Sequence, residues 1–510
     1  MKMIEMDRRH ALQLGAAGAA LALCPPMIAN ARPLPRSALR LEQRQCQVLV
    51  MGGGVAGVMA ALAARRAGAS VVLADKAAVG TGGMSPWAQF WLDPRGREAV
   101  LADRLLAQGD GLVNRAWLEA TLSHGAEAAS LMAQWRWPDC PPLQRRAMWL
   151  KQLQAAGVTV VERAMIAGLL MDRDGSFAGA VALLQGTQAS EPTALLIRAG
   201  RGVLAVGSGA LRAPGSMLWG QTHDATALAW QAGATIRGKD FTDLGSPYPG
   251  YDLGGGTFPQ AMQEAGGSAL IRTDPVAELR VMQGLADPPE RAPARLPGAG
   301  VLTGDGVVAA PQDASVAGVP GLHAAGAALA SNLAGAVYRE AGLGWTASAA
   351  QGLLAGAAAG GGAAAAPPGV PDADRLEQTL AAIWAPRARK EGYSPAWLRQ
   401  NLQQTVTPYF VSYLKRANRL EGALTLVDHL AGSLYPMVIA ASGHEWRAAL
   451  ELGALLRDQQ LRLRASLART ETRGSHRRED HPQSAAKPYW LDLSRAADGG
   501  IAIRQTAATG

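Results

Sequence analysis

The sequence predicts an α/β fold, a parallel-sheet domain interrupted by a small lobe and followed by a helical domain. Two observations in residues 46–76 carry the α/β part: an apolar run that breaks into spaced glycines, and a second apolar run that ends on an acid. Residues 46–51 read as a buried strand, after which Gly52, Gly54 and Gly57 stand in G-x-G-x-x-G spacing. The first glycine permits a tight turn, the second lets backbone approach a pyrophosphate, and the third lets a helix pack close to the strand. The small-residue stretch 58–67 predicts that helix, whose open N–H groups and positive dipole end would face phosphates. Gly68 stops it, residues 71–74 form the second strand, and Asp75 follows with Lys76 beside it. At about 20 residues past the turn, Asp75 stands where a carboxylate binds ribose hydroxyls. A lone G-x-G-x-x-G is weak, but between two strands and ahead of an acid it predicts a dinucleotide site.

Residues 1–31 read as an export signal and are set apart from the fold. Arg8-Arg9 precedes an uncharged apolar run, residues 11–23, and Ala29-Asn30-Ala31 offers small residues for cleavage. Paired arginines mark the route that exports folded proteins, which a protein that loads its cofactor in the cytoplasm needs; the expected location is the periplasm. An ordinary secretory signal is the alternative, and a lipoprotein site at Leu21-Ala22-Leu23-Cys24 a lesser one.

The 510 residues, 48% hydrophobic, suffice for two or three domains with a sizeable core, and no run after Ala31 approaches a membrane span. Of the three cysteines, Cys24 leaves with the signal, and Cys46 begins a buried strand, so neither a disulfide framework nor a zinc or iron–sulfur site is expected. The net charge of +8 becomes +7 once the signal removes three cations and two anions. No basic run is interleaved with aromatics, so this is read as an arginine-rich soluble surface and not as a nucleic-acid site.

Further along, helical spacing of Trp117, Leu118, Leu122, Leu131 and Trp135 predicts helix over 110–156. Residues 158–206 predict a meander with a turn at Asp172-Arg173-Asp174-Gly175, ending in Gly207-Ser208-Gly209. A short helix over 224–232 follows, then a glycine- and proline-rich lobe. The divisions are 43–236 and 301–362 for the two parts of the first domain, 237–300 for the lobe, 363–371 for a linker, 372–483 for the helical domain and 484–510 for a tail.

In this order the segments resemble the flavoprotein subunits of the fumarate reductase, succinate dehydrogenase and L-aspartate oxidase family, over nearly the whole mature chain. Gly80-Thr81-Gly82-Gly83-Met84-Ser85 and the Ala88-Gln89 after it look like the family's loop along the flavin. Thr222-His223-Asp224-Ala225 stands for Thr-Gly-Asp-Gly, and Gly321-Leu322-His323-Ala324-Ala325-Gly326 for Gly-Leu-Tyr-Ala-Ala-Gly. Residues 339–356 are similar to Arg-Leu-Gly-Gly-Asn-Ser-Leu and the helix after it. Most specific is Glu471-Thr472-Arg473-Gly474-Ser475-His476-Arg477-Arg478-Glu479-Asp480-His481-Pro482, which resembles Glu-Ser-Arg-Gly-x-His-x-Arg-Glu-Asp-x-Pro.

The resemblance implies a Rossmann-like FAD-binding domain with an inserted capping lobe and a helical C-terminal domain. It also implies an FAD-dependent oxidoreductase, a dehydrogenase or reductase, that works with a small-molecule substrate and an unidentified electron carrier. An oxygen-using oxidase and a redox-inactive FAD-binding accessory protein are the alternatives. The cofactor would be held by Gly52, Gly54, Gly57, Asp75, Lys76, Gly82, Gly83, Ser85, Gly207, Asp224, Gly326, Gly342 and Gly344. Met84 stands where membrane members carry the histidine bonded to FAD, so noncovalent FAD is expected. The substrate histidines of the dicarboxylate enzymes are missing, since none occurs between His223 and His323, and Phe90-Trp91 replace two glycines. Only Arg339 falls on a substrate arginine, where a guanidinium can grip a carboxylate; Arg272 and Tyr248 are weaker pocket candidates. His476 and the tail arginines are assigned to a clamp of paired ions between domains.

Overall fold

The computed structural model describes residues 40–83, 85, 91–137, 142–185, 193–211, 221–241, 243–245, 300–303, 306–335, 342–363, 368–412 and 414–508. The segment 1–31 expected to be an export signal, Met84, Phe90, Tyr248, Arg272, Arg339 and most of the lobe lie outside these residues.

Strand β1 (Arg40–Met51) is the middle of a parallel sheet because its apolar end, residues 48–51, is shielded on both faces. It pairs with β2 (Val71–Ala74) on one side and with β6 (Thr193–Leu204) on the other, so that Met51 lies opposite both Ala74 and Leu204. Beyond β2 comes β3 (Thr159–Val161), and on the end of β6 lies β11 (Leu322–Ala324), both parallel. Met51, Ala74, Leu204 and Ala324 therefore finish at one edge, the edge outside which open α/β sheets bind ligands. A hairpin of β4 (Ala164–Met171) and β5 (Phe177–Leu184) packs antiparallel on the first half of β6.

Helix α1 (Val55–Arg66) and helix α6 (Leu343–Ala363) cover the sheet together, with α3 (Arg115–Gln134) against α6. Gly352, Gly356 and Gly360 stand one turn apart on α6 and face Ala56, Ala60 and Ala64, also one turn apart on α1. The small residues of α6 are thus what its place in the core demands, since any larger side chain would hold the helices apart.

Several elements differ from the sequence reading. The 110–156 stretch divides into α3 and α4 (Pro142–Ala155), and β3 joins the parallel sheet in place of the meander. Residues 195–197 and 202–204 belong to one strand, because β1 also pairs with Arg198, Ala199 and Arg201 between them. Strand β10 (Gly300–Thr303) joins β7 (Gly209–Leu211) and β9 (Asp243–Gly245) in a separate antiparallel sheet. The 484–510 tail is mostly a hairpin, β14 (Tyr489–Arg495) and β15 (Ile501–Ala507), with β14 also paired to β8 (Ile236–Arg237). Its signal was present, Asp498-Gly499 between two alternating runs, with Gly499 at φ 84°.

The C-terminal helices are α7 (Ala373–Ala388), α8 (Pro395–Val406), α9 (Ala417–His429) and α10 (Gly443–Ala468). Leu398, Leu402, Leu420, Val427, Leu452 and Leu455 close a second core among α8, α9 and α10. Helix α10 also packs against α5 (Asp224–Gln231), which joins the helical domain to the first domain.

Candidate functional site

The turn after β1 is built on glycines, two of which a Cβ would drive into backbone. Gly52 holds φ 106°, and a Cβ there would lie 2.3 Å from the Ala205 carbonyl oxygen. A Cβ at Gly57 would lie 1.8 Å from the Gly52 oxygen, the close approach that lets α1 start directly beneath the turn. At Gly54 the added atom would meet Ser85 Oγ at 2.9 Å, and that hydroxyl accepts the Val55 N–H at 3.4 Å. Ser85 thereby stands at the N-terminus of α1, whose first-turn amides have no partner within the helix.

Asp75 closes the turn from the β2 side. Its Oδ2 accepts the Gly53 N–H and its Oδ1 the Ala77 N–H, both at 2.6 Å. Each oxygen keeps a lone pair for a hydroxyl donor. Burial raises the carboxyl above its ordinary value against the pull of those two N–H groups.

Lys76 is held by side chains of the first and helical domains. Its ammonium donates to Thr222 Oγ1 at 2.7 Å and Asp224 Oδ2 at 2.8 Å, and approaches Glu451 Oε1 at 3.5 Å. Burial would lower its pKa, but Asp224 and Glu451 outweigh that and raise it. Asp224, at the start of α5, is committed to Lys76 and Thr222.

The remaining predicted residues fall into two groups. Gly82 and Gly207 are open, with no atom within 4 Å of an added Cβ, and Gly83 at φ 56° leaves room for the Gln221 amide, 2.8 Å from its missing Cβ. Gly342 at φ 83° leads into α6, and Gly344 in its first turn is exposed. Gly326 is less available: its N–H is given to Gln351 Oε1 at 3.2 Å, and its missing Cβ is 2.8 Å from that of Ala56. Contacts of Gly54 with Ser85, of Gly52 with Ala205 and of Gly326 with Ala56 gather these segments around the start of α1. The open backbone at Gly82 and Gly207, the α1 amides and the Asp75 carboxylate fit an extended nucleotide cofactor such as FAD.

Behind this edge lies a buried ionic layer that periodicity did not reveal. Asp458 on α10 accepts Lys239 Nζ at 2.5 Å and the Gln459 amide at 2.7 Å, with His223 Nδ1 at 3.2 Å. In the tail, Arg469 pairs with Asp240 and Glu471, and Arg478 with Asp480 at 2.8 Å. His476 is fully buried, its Nδ1 at 3.1 Å from Lys415 Nζ and its Nε2 at 3.3 Å from the Arg469 oxygen. Asp458 falls on an α10 position that an amphipathic pattern assigns to core, and its cation Lys239, like the Asp240 that pairs with Arg469, comes from a segment more than 200 residues away.

A family model of FAD dependent oxidoreductases matches residues 47–213, and one of the fumarate reductase flavoprotein C-terminal part matches residues 399–504. The chain belongs to the FAD-dependent oxidoreductases of the fumarate reductase and succinate dehydrogenase flavoprotein family. This flavoprotein is similar in fold to Mycobacterium smegmatis Sdh1 in complex with UQ1, at TM-score 0.71 and 18% identity over 91% of this chain and 95% of that one. Adenylylsulfate reductase of Archaeoglobus fulgidus gives TM-score 0.73 and 18% identity over 94% and 98% of the two chains. The FrdA chain of Escherichia coli quinol fumarate reductase gives 0.69 and 16% over 91% and 97%. No curated protein matches the flavoprotein by sequence. Among its described residues, no helix is long and apolar enough to cross a membrane.

Proposed function

We propose that this flavoprotein is a periplasmic oxidoreductase that transfers a hydride between a small anionic substrate and noncovalent FAD, and exchanges electrons with a separate carrier. The observation that carries the reading is the convergence of the Gly52–Gly57 turn, Asp75 and Ser85 at the carboxyl edge of the parallel sheet. Bound FAD supplies the two-electron chemistry. The chain supplies position and field: α1 amides and Ser85 at the pyrophosphate, Asp75 at the adenosine ribose, and the N-terminus of α6 with Gly342 and Gly344 toward the ring. Arg339 would grip a substrate carboxylate with two parallel hydrogen bonds.

The purified protein should be yellow and release FAD into the supernatant on acid denaturation, since Met84 offers no ring nitrogen for a covalent link. Anaerobic photoreduction followed by a screen of oxidants then tests the chemistry. Rapid reoxidation by oxygen alone would make it an oxidase, and a flavin that resists reduction would make it an accessory protein. Replacing Arg8-Arg9 by Lys-Lys should abolish periplasmic accumulation, because the recognised feature is the arginine pair. Unaltered export would show an ordinary secretory signal.

A further inference from the structure

Lys76 directly follows Asp75, and its side chain touches the helical domain at Glu451 while its main chain reaches it through Gln185 and Arg447. An ammonium has three donors and no acceptor. Thr222, Asp224 and Glu451 surround those of Lys76, at 2.7, 2.8 and 3.5 Å. Glu451 belongs to α10 and also accepts Arg447 Nε at 2.8 Å. Arg447 Nη1 reaches Gln185 Oε1 at 3.2 Å, and Gln185 Nε2 returns to the Lys76 carbonyl at 3.2 Å. Lys76, Glu451, Arg447 and Gln185 thus form a closed ring that joins the end of β2, the end of β5 and helix α10. With Asp224 included the ring holds two cations and two anions, and the carboxylates of Asp224 and Glu451 are both 7% exposed, so the pairs are little screened by water.

We propose that α10 is a latch on cofactor loading: docking of the helical domain through Glu451 fixes the Asp75–Lys76 turn, and FAD held at that turn in turn fixes α10. The inference rests on the reading of Asp75 as the ribose acid. Lys76 is a positioning residue in this scheme and touches no cofactor atom. Coupling between two binding events is reciprocal, so each must strengthen the other by the same factor.

The test is made on the full chain stripped of FAD and then titrated with FAD. Hydrogen exchange in Gly443–Ala468 and the FAD dissociation constant, read from quenching of flavin fluorescence, are measured for wild type, Lys76→Met, Glu451→Gln and Asp75→Asn. In wild type, FAD should slow exchange in α10. Lys76→Met should weaken FAD about tenfold or more, the scale of one hydrogen bond to a charged group, and abolish the FAD-dependent protection. Glu451→Gln preserves shape and should show the same pattern in milder form, which serves if Lys76→Met does not fold. A residue that is only structural would lower apoprotein stability while leaving the FAD-induced protection intact, and that outcome overturns the latch. An Asp75→Asn protein with weakened FAD beside an unaffected Glu451→Gln would sink the latch alone. Unchanged FAD affinity in Asp75→Asn would remove the ribose reading and the latch with it.

Discussion

Gly356 of α6 touches the backbone of Ala60 on α1: a Cβ added at Gly356 would lie 2.1 Å from the Ala60 oxygen and 2.6 Å from its Cα. Neither atom can move without moving α1, and α1 begins at the cofactor turn. Gly356→Ala should therefore destabilise the protein by about 1–3 kcal/mol, as overpacking does. At Gly361, in the last turn of the same helix, nothing lies within 4 Å of an added Cβ. There the substitution should be neutral or gain roughly 0.5–1 kcal/mol from lost glycine freedom. Urea melts of the two variants decide it, and equal stability would refute the α1–α6 contact.

The contrast between these two glycines also marks how far the sequence could be read. The strand, turn and acid of residues 46–75 were legible because each is local and each has one physical task. Gly352, Gly356 and Gly360 look like any glycine in an alanine-rich stretch until α1 is set against them. Lys76 was read as a cofactor residue by its position after Asp75, and its partner Glu451 lies 375 residues away. Asp458, Arg462 and Arg469 are charged residues at buried positions of one helix and its end, which no periodicity announces. The hairpin at 489–507 rests on one short local signal, the Asp498-Gly499 turn, and its second strand is mostly exposed, so it lacks the continuous apolar run that marks a buried strand.

His476 should make stability fall with pH below neutrality. Burial, then the neighbouring Lys415 cation, hold its imidazole well below its ordinary value of 6.5. Its Nδ1 lies 3.0 Å from the Asp240 oxygen and 3.1 Å from Lys415 Nζ, and its Nε2 3.3 Å from the Arg469 oxygen, so the single N–H of a neutral ring has a carbonyl acceptor on either nitrogen. The unfolded chain takes up the proton near pH 6.5 and the folded chain does not, so stability drops by up to about 1.4 kcal/mol per pH unit beneath that point. His323, also lowered by burial, acts in the same direction. The lowered carboxylates Asp458, Glu471, Asp480 and Asp492 lose their contribution only on further acidification, below the ordinary carboxylate range. Denaturation at pH 7.5 and 5.5 should thus show a shallower loss in His476→Gln than in wild type, and equal slopes would place the imidazole in water.

Asp458→Ala should cost about 3–5 kcal/mol, because it strips the carboxylate from a fully buried Lys239 and leaves that charge in a poor environment. Asp458→Asn keeps the volume and one acceptor oxygen and should cost less. The ordering of the two midpoints is the measurement. If alanine were the milder change, Lys239 would have to reach water in the native state.

Arg339→Ala should leave flavin content and folding near normal and weaken the turnover of an anionic substrate. A hydrogen bond to a charged group is worth about 1.5–3 kcal/mol, or roughly ten- to a hundredfold in binding. The loss should fall on carboxylate substrates and spare uncharged analogues, because only the former present two oxygens to the planar fork. A colourless or insoluble variant would instead give Arg339 a structural task in the segment that leads to Gly342 and α6. Unchanged kinetics in a folded, yellow variant would remove the one dicarboxylate-type side chain that the sequence retains. Without it, neither a histidine between His223 and His323 nor a matched arginine would argue for a carboxylate, and the substrate search would move to neutral molecules.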